Sequence, residues 1–270
     1  MCAEANTGTV LGRILESRRA EIEHRKKVLP ETALKYGVQA ASPLRDFMGA
    51  LSRPGINIMA ELKPASPSRG VLREPFDPIA LAQSLEAAGA AALSVLTEPE
   101  FFRGSLKNLR DARKSVQLPV LRKDFIFDPW QVWEARANDA DSFLLIVATL
   151  SDAQLKELLT LGRELGMEPV VEVHTHEELE RALAAEARII GVNNRNLKTL
   201  EVCTETSFGL VDAIPGECVA ISESGIRTHG ELLKLRAAGF DAFLVGTRLM
   251  LSSDPAAVLA ELLGAAAQGK

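Results

Sequence analysis

Eight short apolar runs alternate with longer amphipathic stretches from residue 56 to the end of the chain, and this alternation limits the fold more than any other feature. The runs are INIMAEL (56–62), AALSVL (91–96), PVLRKD (119–124), SFLLIV (142–147), EPVVEV (168–173), RIIGVN (188–193), ECVAIS (217–222) and DAFLVG (241–246). All are short and most are rich in β-branched residues, so they read as parallel strands covered on both faces. Helix starts are legible between them. Asp77-Pro78, Asp128-Pro129 and Asp254-Pro255 put a capping acid before proline at the first helical position. Thr175 with Glu178, Thr228 with Glu231 and Ser151 with Gln154 have the spacing of capping boxes, and Gly89, Gly166 and Gly239 fall where helices should stop. Such alternation fits a closed barrel or an open doubly wound sheet. The count of eight, the residues at the run ends and the lack of a G-x-G-x-x-G turn after the first run favour an α/β fold of the (βα)8 TIM-barrel type.

At 270 residues the chain has the size of one such barrel. Residues 1–50 precede the first strand as a helical extension, with a charged amphipathic helix over 10–29 and a shorter one over 43–51. This segment is too short for a core of its own. It is therefore expected to cover the floor or rim of a single domain spanning 1–270.

With 47% apolar and only 5% aromatic residues, the core must be mostly Leu, Val, Ile and Ala. A formal net charge of −5 argues against nucleic acid or an anionic membrane as partner. Cys2, Cys203 and Cys218 have neither metal spacing nor a disulfide pattern, which suits a reducing cytoplasm. Residues 1–10 lack the apolar stretch of a signal peptide, and the longest apolar run, 143–150, is too short to span a bilayer.

The run ends carry chemistry, and in barrels the C-terminal strand ends hold the active site. The first ends in Glu61 and Lys63, the third in Arg122-Lys123-Asp124, and the fifth in Glu172. Asn193-Asn194-Arg195-Asn196 ends the sixth, Ser222-Glu223-Ser224-Gly225 the seventh, and Gly246-Thr247 the eighth. Charges beside apolar strands are costly unless paired, hydrated or used. Glu61 and Lys63, two apart, share a strand face, so an ion pair between them is the plain alternative to a functional role. Lys123 at the end of an apolar strand is expected to have its pKa lowered by desolvation and neighbouring cations, toward use as an acid. Glu172 interrupts an apolar strand.

His174 and His176 invite a metal reading, but no cluster of further ligands accompanies them, and the capping box at Thr175 places His176 in a helix's first turn. No metal and no cofactor is expected. The glycine turns after the last two strands point instead to phosphate. Glycine lets a backbone N–H approach an anion, and barrels often grip phosphate in these two loops with a short extra helix, here expected at 247–250.

The strings ELKPASPSRG (61–70), LRKDF (121–125), VEVH (171–174), GVNNRNL (191–197) and SESGI (222–226) together resemble the indole-3-glycerol-phosphate synthase family, over nearly the whole chain and in family order. That resemblance implies a carboxy-lyase of tryptophan biosynthesis. Its substrate would be 1-(2-carboxyphenylamino)-1-deoxyribulose 5-phosphate, converted to indole-3-glycerol phosphate, carbon dioxide and water. It implies Lys123 as general acid for ring closure. Lys63 would grip the substrate's carboxylate or phosphate and serve in dehydration, the division between the two lysines staying open. Glu172 would stabilise positive charge on the anilino nitrogen, Glu61 would assist dehydration, and Glu223 would shape the field and hold hydroxyls. Asn193, Arg195 and Ser224 complete the polar wall. Ser66, Gly225, Gly246 and Thr247 match the phosphate cradle, and Phe102, Phe125, Leu144 and Leu197 the walls for the aryl ring. Departures are Arg248 where a small residue is usual, the bulky Trp130 and Trp133, and Asn138 and Glu186 where turn glycines are expected.

Two rivals remain at this point. One is another phosphosugar barrel enzyme, such as phosphoribosylanthranilate isomerase or a ribulose-phosphate epimerase. The other is a barrel that binds a phosphorylated ligand without catalysis. A small phosphorylated molecule is the partner in every reading. A monomer, or association with other tryptophan-pathway enzymes, stays open.

Overall fold

A computed structural model of the chain describes residues 8–265. Cys2 lies outside them, as does most of the segment read for a leader. The eight apolar runs are strands: β1 (Asn57–Leu62), β2 (Ala92–Leu96), β3 (Val120–Lys123), β4 (Ser142–Ile146), β5 (Val170–Val173), β6 (Ile189–Asn193), β7 (Val219–Glu223) and β8 (Ala242–Val245). Each pairs in parallel with the next, and β8 pairs with β1, setting Asn57 opposite Ala242. The sheet closes, and the barrel expectation holds over the open alternative.

Side chains alternate across the wall. Met59, Ala92, Leu121, Leu144, Val170, Ile189, Ile221 and Ala242 fill the barrel, while Ile58, Leu93, Val120, Phe143, Val171, Ile190 and Phe243 face the helices. Outside are α4 (Pro78–Ala87), α5 (Leu106–Ser115), α6 (Pro129–Ala137), α7 (Asp152–Glu164), α8 (His176–Ala184), α9 (Glu205–Leu210), α10 (His229–Ala238), α11 (Thr247–Leu251) and α12 (Pro255–Leu262). The expected short helix after β8 is α11.

The capping signals operate as their chemistry requires. Asp77, Asp128 and Asp254 each accept a backbone N–H ahead of proline, and Ser151 and Thr228 form reciprocal boxes. The box at Thr175 is only half made. Thr175 accepts from the Glu178 amide, but the Glu178 carboxylate turns to the His174 N–H at 2.6 Å. Glu186 adopts the left-handed conformation (φ 64°) where a glycine was expected. In the other such turn Asp139 (φ 65°), not Asn138, takes it, and its carboxylate accepts the Ser42 N–H at 2.7 Å. Asn138 caps α6 instead.

The extension covers both rim and floor. Helix α1 (Val10–Val28) lays Leu11, Ile14 and Leu15 over the C-terminal mouth, against the apolar cluster that includes Phe125 and Leu144. A further helix, α2 (Glu31–Gln39), was not legible: its cap is Pro30 with no side-chain bond, and only Leu34 is buried. It packs on α6, where Trp130 is buried with Ile22 and Leu34 and donates its indole N–H to the Leu29 carbonyl at 2.9 Å. The bulky Trp130 thus has a partner in the extension. The expected helix over 43–51 begins later, as α3 (Phe47–Leu51), because Asp46 caps it, and it packs under β1 and β2.

Candidate active site

Period-two alternation turns Glu61, Lys123, Glu172, Asn193 and Glu223 toward the barrel axis at the C-terminal ends of five strands, with Lys63 just beyond β1. They form two linked groups. The Lys123 ammonium donates to Glu172 Oε2 at 2.9 Å and to Glu223 Oε2 at 2.7 Å. Asn193 Nδ2 donates to the other Glu172 oxygen at 2.9 Å, and the Arg195 amide donates to Asn193 Oδ1 at 2.9 Å. Across the mouth Lys63 pairs with Glu61, so the ion pair foreseen as the plain alternative is present, within the lining of a large cavity.

The electrostatics reverse one expectation. Burial works to lower the Lys123 pKa, but Glu172, Glu223 and Glu61 outweigh it and hold the ammonium above the ordinary lysine range. Its nearest charges are carboxylates rather than cations, so the shift has the opposite sign to the one anticipated. Glu223 moves in the other sense. Burial, only partly offset by Lys123 and reinforced by Glu172, pushes its carboxyl from 4.5 up to about 7. Its Oε1 has no hydrogen-bond partner among the described residues.

Two glycines make room for this ring of charge. A Cβ on Gly191 would stand 2.3 Å from Glu223 Oε1, and one on Gly246 would stand 2.2 Å from Glu61 Oε2. Gly246, chosen from sequence for its amide, is thus required sterically by a carboxylate. Gly225 (φ 86°) follows Ser224 (φ 70°), so the turn after β7 holds two successive left-handed residues.

A cavity of about 760 Å³ opens at the ends of β1, β7 and β8. Glu61, Lys63, Arg195, Ser224, Gly225, Gly246 and Thr247 line it, together with Arg69, Arg227 and Arg248, which the sequence reading did not assign to the site. Arg248 Nη2 also donates to the Glu261 carboxylate at 3.0 and 2.9 Å. A smaller, more apolar cavity adjoins it, walled by Phe102, Phe125, Leu197, Ser66 and, from α1, Leu11 and Ile14. Ser66 therefore lines the apolar cavity, where Thr247 also reaches, and not the larger one that Gly225 and Gly246 line. Leu144 lies deeper, buried in the barrel interior and outside the lining of both cavities. Phe102 and Phe125 face each other with centroids 6.1 Å apart. The loop carrying Phe102 is held by buried Glu98, whose carboxylate accepts the amides of Glu100, Phe101 and Phe102.

The α1 residues were missed because helical periodicity shows that a face is apolar, not what it covers. His174 engages the Asn193 backbone carbonyl through Nδ1 at 2.7 Å, and no group of three or more potential metal ligands occurs among the described residues.

A cationic cavity, an apolar slot and a lysine between carboxylates share one mouth, and the family model for indole-3-glycerol phosphate synthase matches residues 11–262. The chain belongs to the indole-3-glycerol phosphate synthase family. It is similar to the indole-3-glycerol phosphate synthase of Rhodococcus jostii (strain RHA1), with 48% identity over 259 residues and 96% of each chain covered. To that of Mycobacterium sp. (strain KMS) it is 47% identical over 260 residues, again with 96% of each chain covered. Among solved structures it resembles a mandelate oxidase with (S)-2-phenylpropionate (TM-score 0.61, 18% identity, covering 88% of this chain and 84% of that one). It also resembles a 3-hexulose-6-phosphate synthase (TM-score 0.59, 15% identity, covering 78% and 100%). At those identities the likeness shows the barrel fold alone. As an indole-3-glycerol phosphate synthase the chain is a decarboxylating lyase of tryptophan biosynthesis. No helix among the described residues is long and apolar enough to cross a membrane.

Proposed function

We propose that this mouth closes the indole ring of 1-(2-carboxyphenylamino)-1-deoxyribulose 5-phosphate, with Lys123 as the acid. The observation that carries the reading is the Lys123 ammonium held 2.9 and 2.7 Å from two buried carboxylates, two residues before Phe125 in the wall of the apolar slot. The aryl ring enters the slot between Phe102, Phe125 and Leu197. The phosphate enters the larger cavity, where Lys63, Arg69, Arg195, Arg227 and Arg248 face it against the single carboxylate of Glu61.

The ring carbon bearing the carboxylate attacks the ketone carbon, and the Lys123 proton passes to the ketone oxygen as it gains charge. The raised proton affinity of Lys123 keeps it in the acid form at neutral pH, so transfer waits until the carbon–carbon bond is forming. Glu172 faces the positive charge that develops on the anilino nitrogen. Departure of carbon dioxide leaves its bonding pair in the ring and restores aromaticity. The new hydroxyl then leaves as water, protonated from Lys63, while Glu61 takes a proton from the adjacent carbon and the second ring double bond forms. Glu223 and Asn193 hold hydroxyls and the position of Glu172, and Ser224, Gly225 and Thr247 surround the phosphate. No cofactor enters this scheme. We place the reaction in the cytoplasm.

The test is incubation with this substrate while indole fluorescence is followed. The wild-type chain forms product, and none at high enzyme concentration overturns the reading. In the same assay Lys123→Ala loses on the order of 10²- to 10⁴-fold in kcat, the usual share of a positioned acid. Titration should show that it still binds the substrate. Near-native kcat in that variant moves the acid role elsewhere.

A further inference from the structure

His174 has no part in the scheme above, yet it touches the residue that orients Glu172. It lies two residues beyond Glu172, just past the end of β5. The two residues line a common small cavity with Leu11, Ile146 and Asn196. The ladder between β5 and β6 sets Glu172 opposite Gly191 and Val173 opposite Val192. Past it the imidazole continues the link between the two chains, its Nδ1 2.7 Å from the Asn193 carbonyl oxygen. A carbonyl oxygen only accepts, so Nδ1 carries the hydrogen whether the ring is neutral or charged. The half-made cap at Thr175 supports the arrangement from below, because Glu178 takes the His174 backbone N–H and fixes where the ring begins.

Asn193 is consequently held at three points. His174 grips its carbonyl, the Arg195 amide grips its Oδ1, and its own Nδ2 donates to Glu172 Oε1 at 2.9 Å. With that bond made, Glu172 offers Oε2 to Lys123.

We propose that His174 is a positioning residue for Glu172, acting through the Asn193 backbone carbonyl and the Asn193 amide. The proposal rests on the role given to Glu172 above. It makes a chemical distinction among substitutions at 174. Asparagine carries an N–H donor, Nδ2, the same number of bonds from Cβ as imidazole Nδ1, so His174→Asn keeps the bond to the carbonyl. Alanine removes it. Aspartate sets an acceptor against an acceptor, and its charge beside Glu172.

The experiment is steady-state kinetics of wild type, His174→Ala, His174→Asn and His174→Asp at neutral pH, with a thermal melt on each to show that it is folded. His174→Ala should lose roughly 10- to 100-fold in kcat, the scale on which misplacement by about 1 Å acts, with KM little changed. His174→Asn should recover most of the rate, and His174→Asp should be slower than His174→Ala. Native kcat in His174→Ala, or equal loss in the alanine and asparagine variants, overturns the proposal. A wild-type chain that makes no product overturns the underlying reading instead, so the two failures are distinct.

Discussion

Glu223 shows what a single buried group costs and why it is kept. Its carboxyl is buried, with Glu172 and Glu61 near it as well as Lys123, and one oxygen lacks a partner among the described residues, so the folded state favours its protonated form. The folded pKa, about 7, exceeds the ordinary value of 4.5. Stability from this group is therefore complete below about pH 4.5 and is lost as pH rises through about 7, where the unfolded chain holds fewer protons than the native one. A shift of this size is worth roughly 3 kcal/mol. Glu223→Gln keeps an acceptor for Lys123 and removes the titration. The variant should melt increasingly above wild type as pH rises from about 4.5 to about 8, while its kcat falls. Parallel melting curves of the two proteins across that range would contradict the assignment. The glutamate itself was legible in the S-E-S-G string. Its perturbation was not, because it depends on burial inside the closed barrel and on Glu172 and Glu61, which only the fold brings beside it.

At the scale of elements, strands were more legible than the extension. A strand buried on both faces is an apolar run of fixed length wherever it sits, so all eight were found by composition. The helices of the extension are one-sided, and their partners lie far away in sequence. Helix α2 lacks a side-chain cap and buries one leucine, so nothing local announces it. Helix α1 was announced, but the contact that ties it to the residues around Lys123 comes from a residue with no sequence signal. Arg18, 1% exposed, donates to both oxygens of Asp124 at 3.0 and 2.7 Å. Asp124 also accepts from Arg122 and Thr97. Burial raises its pKa, but Arg18 and Arg122 outweigh burial and hold it below the usual carboxylate range. Asp124 sits between Lys123 and Phe125, so this pair joins α1 to the acid and to the aryl wall. Removing one partner of a buried pair costs about 3–5 kcal/mol. Arg18→Ala should lose about that much in denaturant unfolding. Arg18→Lys should recover little, since an ammonium cannot make the two-pronged contact. A loss below about 1 kcal/mol in Arg18→Ala would mean that Arg122 alone satisfies Asp124.

The whole molecule divides its two tasks between the ends of the barrel. The C-terminal mouth gathers Glu61, Lys63, Lys123, Glu172 and Glu223 at a cost in stability. The opposite end carries charges that serve cohesion. There Asp141, just before β4, accepts Arg113 Nε and Nη2 at 2.7 and 2.9 Å, the Val120 amide at 2.8 Å and the Arg45 amide at 2.8 Å. Arg113 also donates to the Pro43 carbonyl at 3.0 Å. One carboxylate thus ties α5, β3 and the extension together at the floor. In barrels the N-terminal face serves stability and the C-terminal face chemistry. The ring of catalytic charges and the floor should therefore respond oppositely to substitution. Asp141→Asn loses an acceptor and the charge opposite Arg113, and should unfold about 2–4 kcal/mol more easily, as broken buried networks do. Its kcat/KM, measured well below its melting temperature, should stay within twofold or so of wild type. The Glu223 variant should show the reverse pattern, with higher melting temperature and lower kcat. A large kcat/KM loss in a folded Asp141→Asn protein would show that the floor is coupled to the mouth, and that the barrel does not separate cohesion from chemistry.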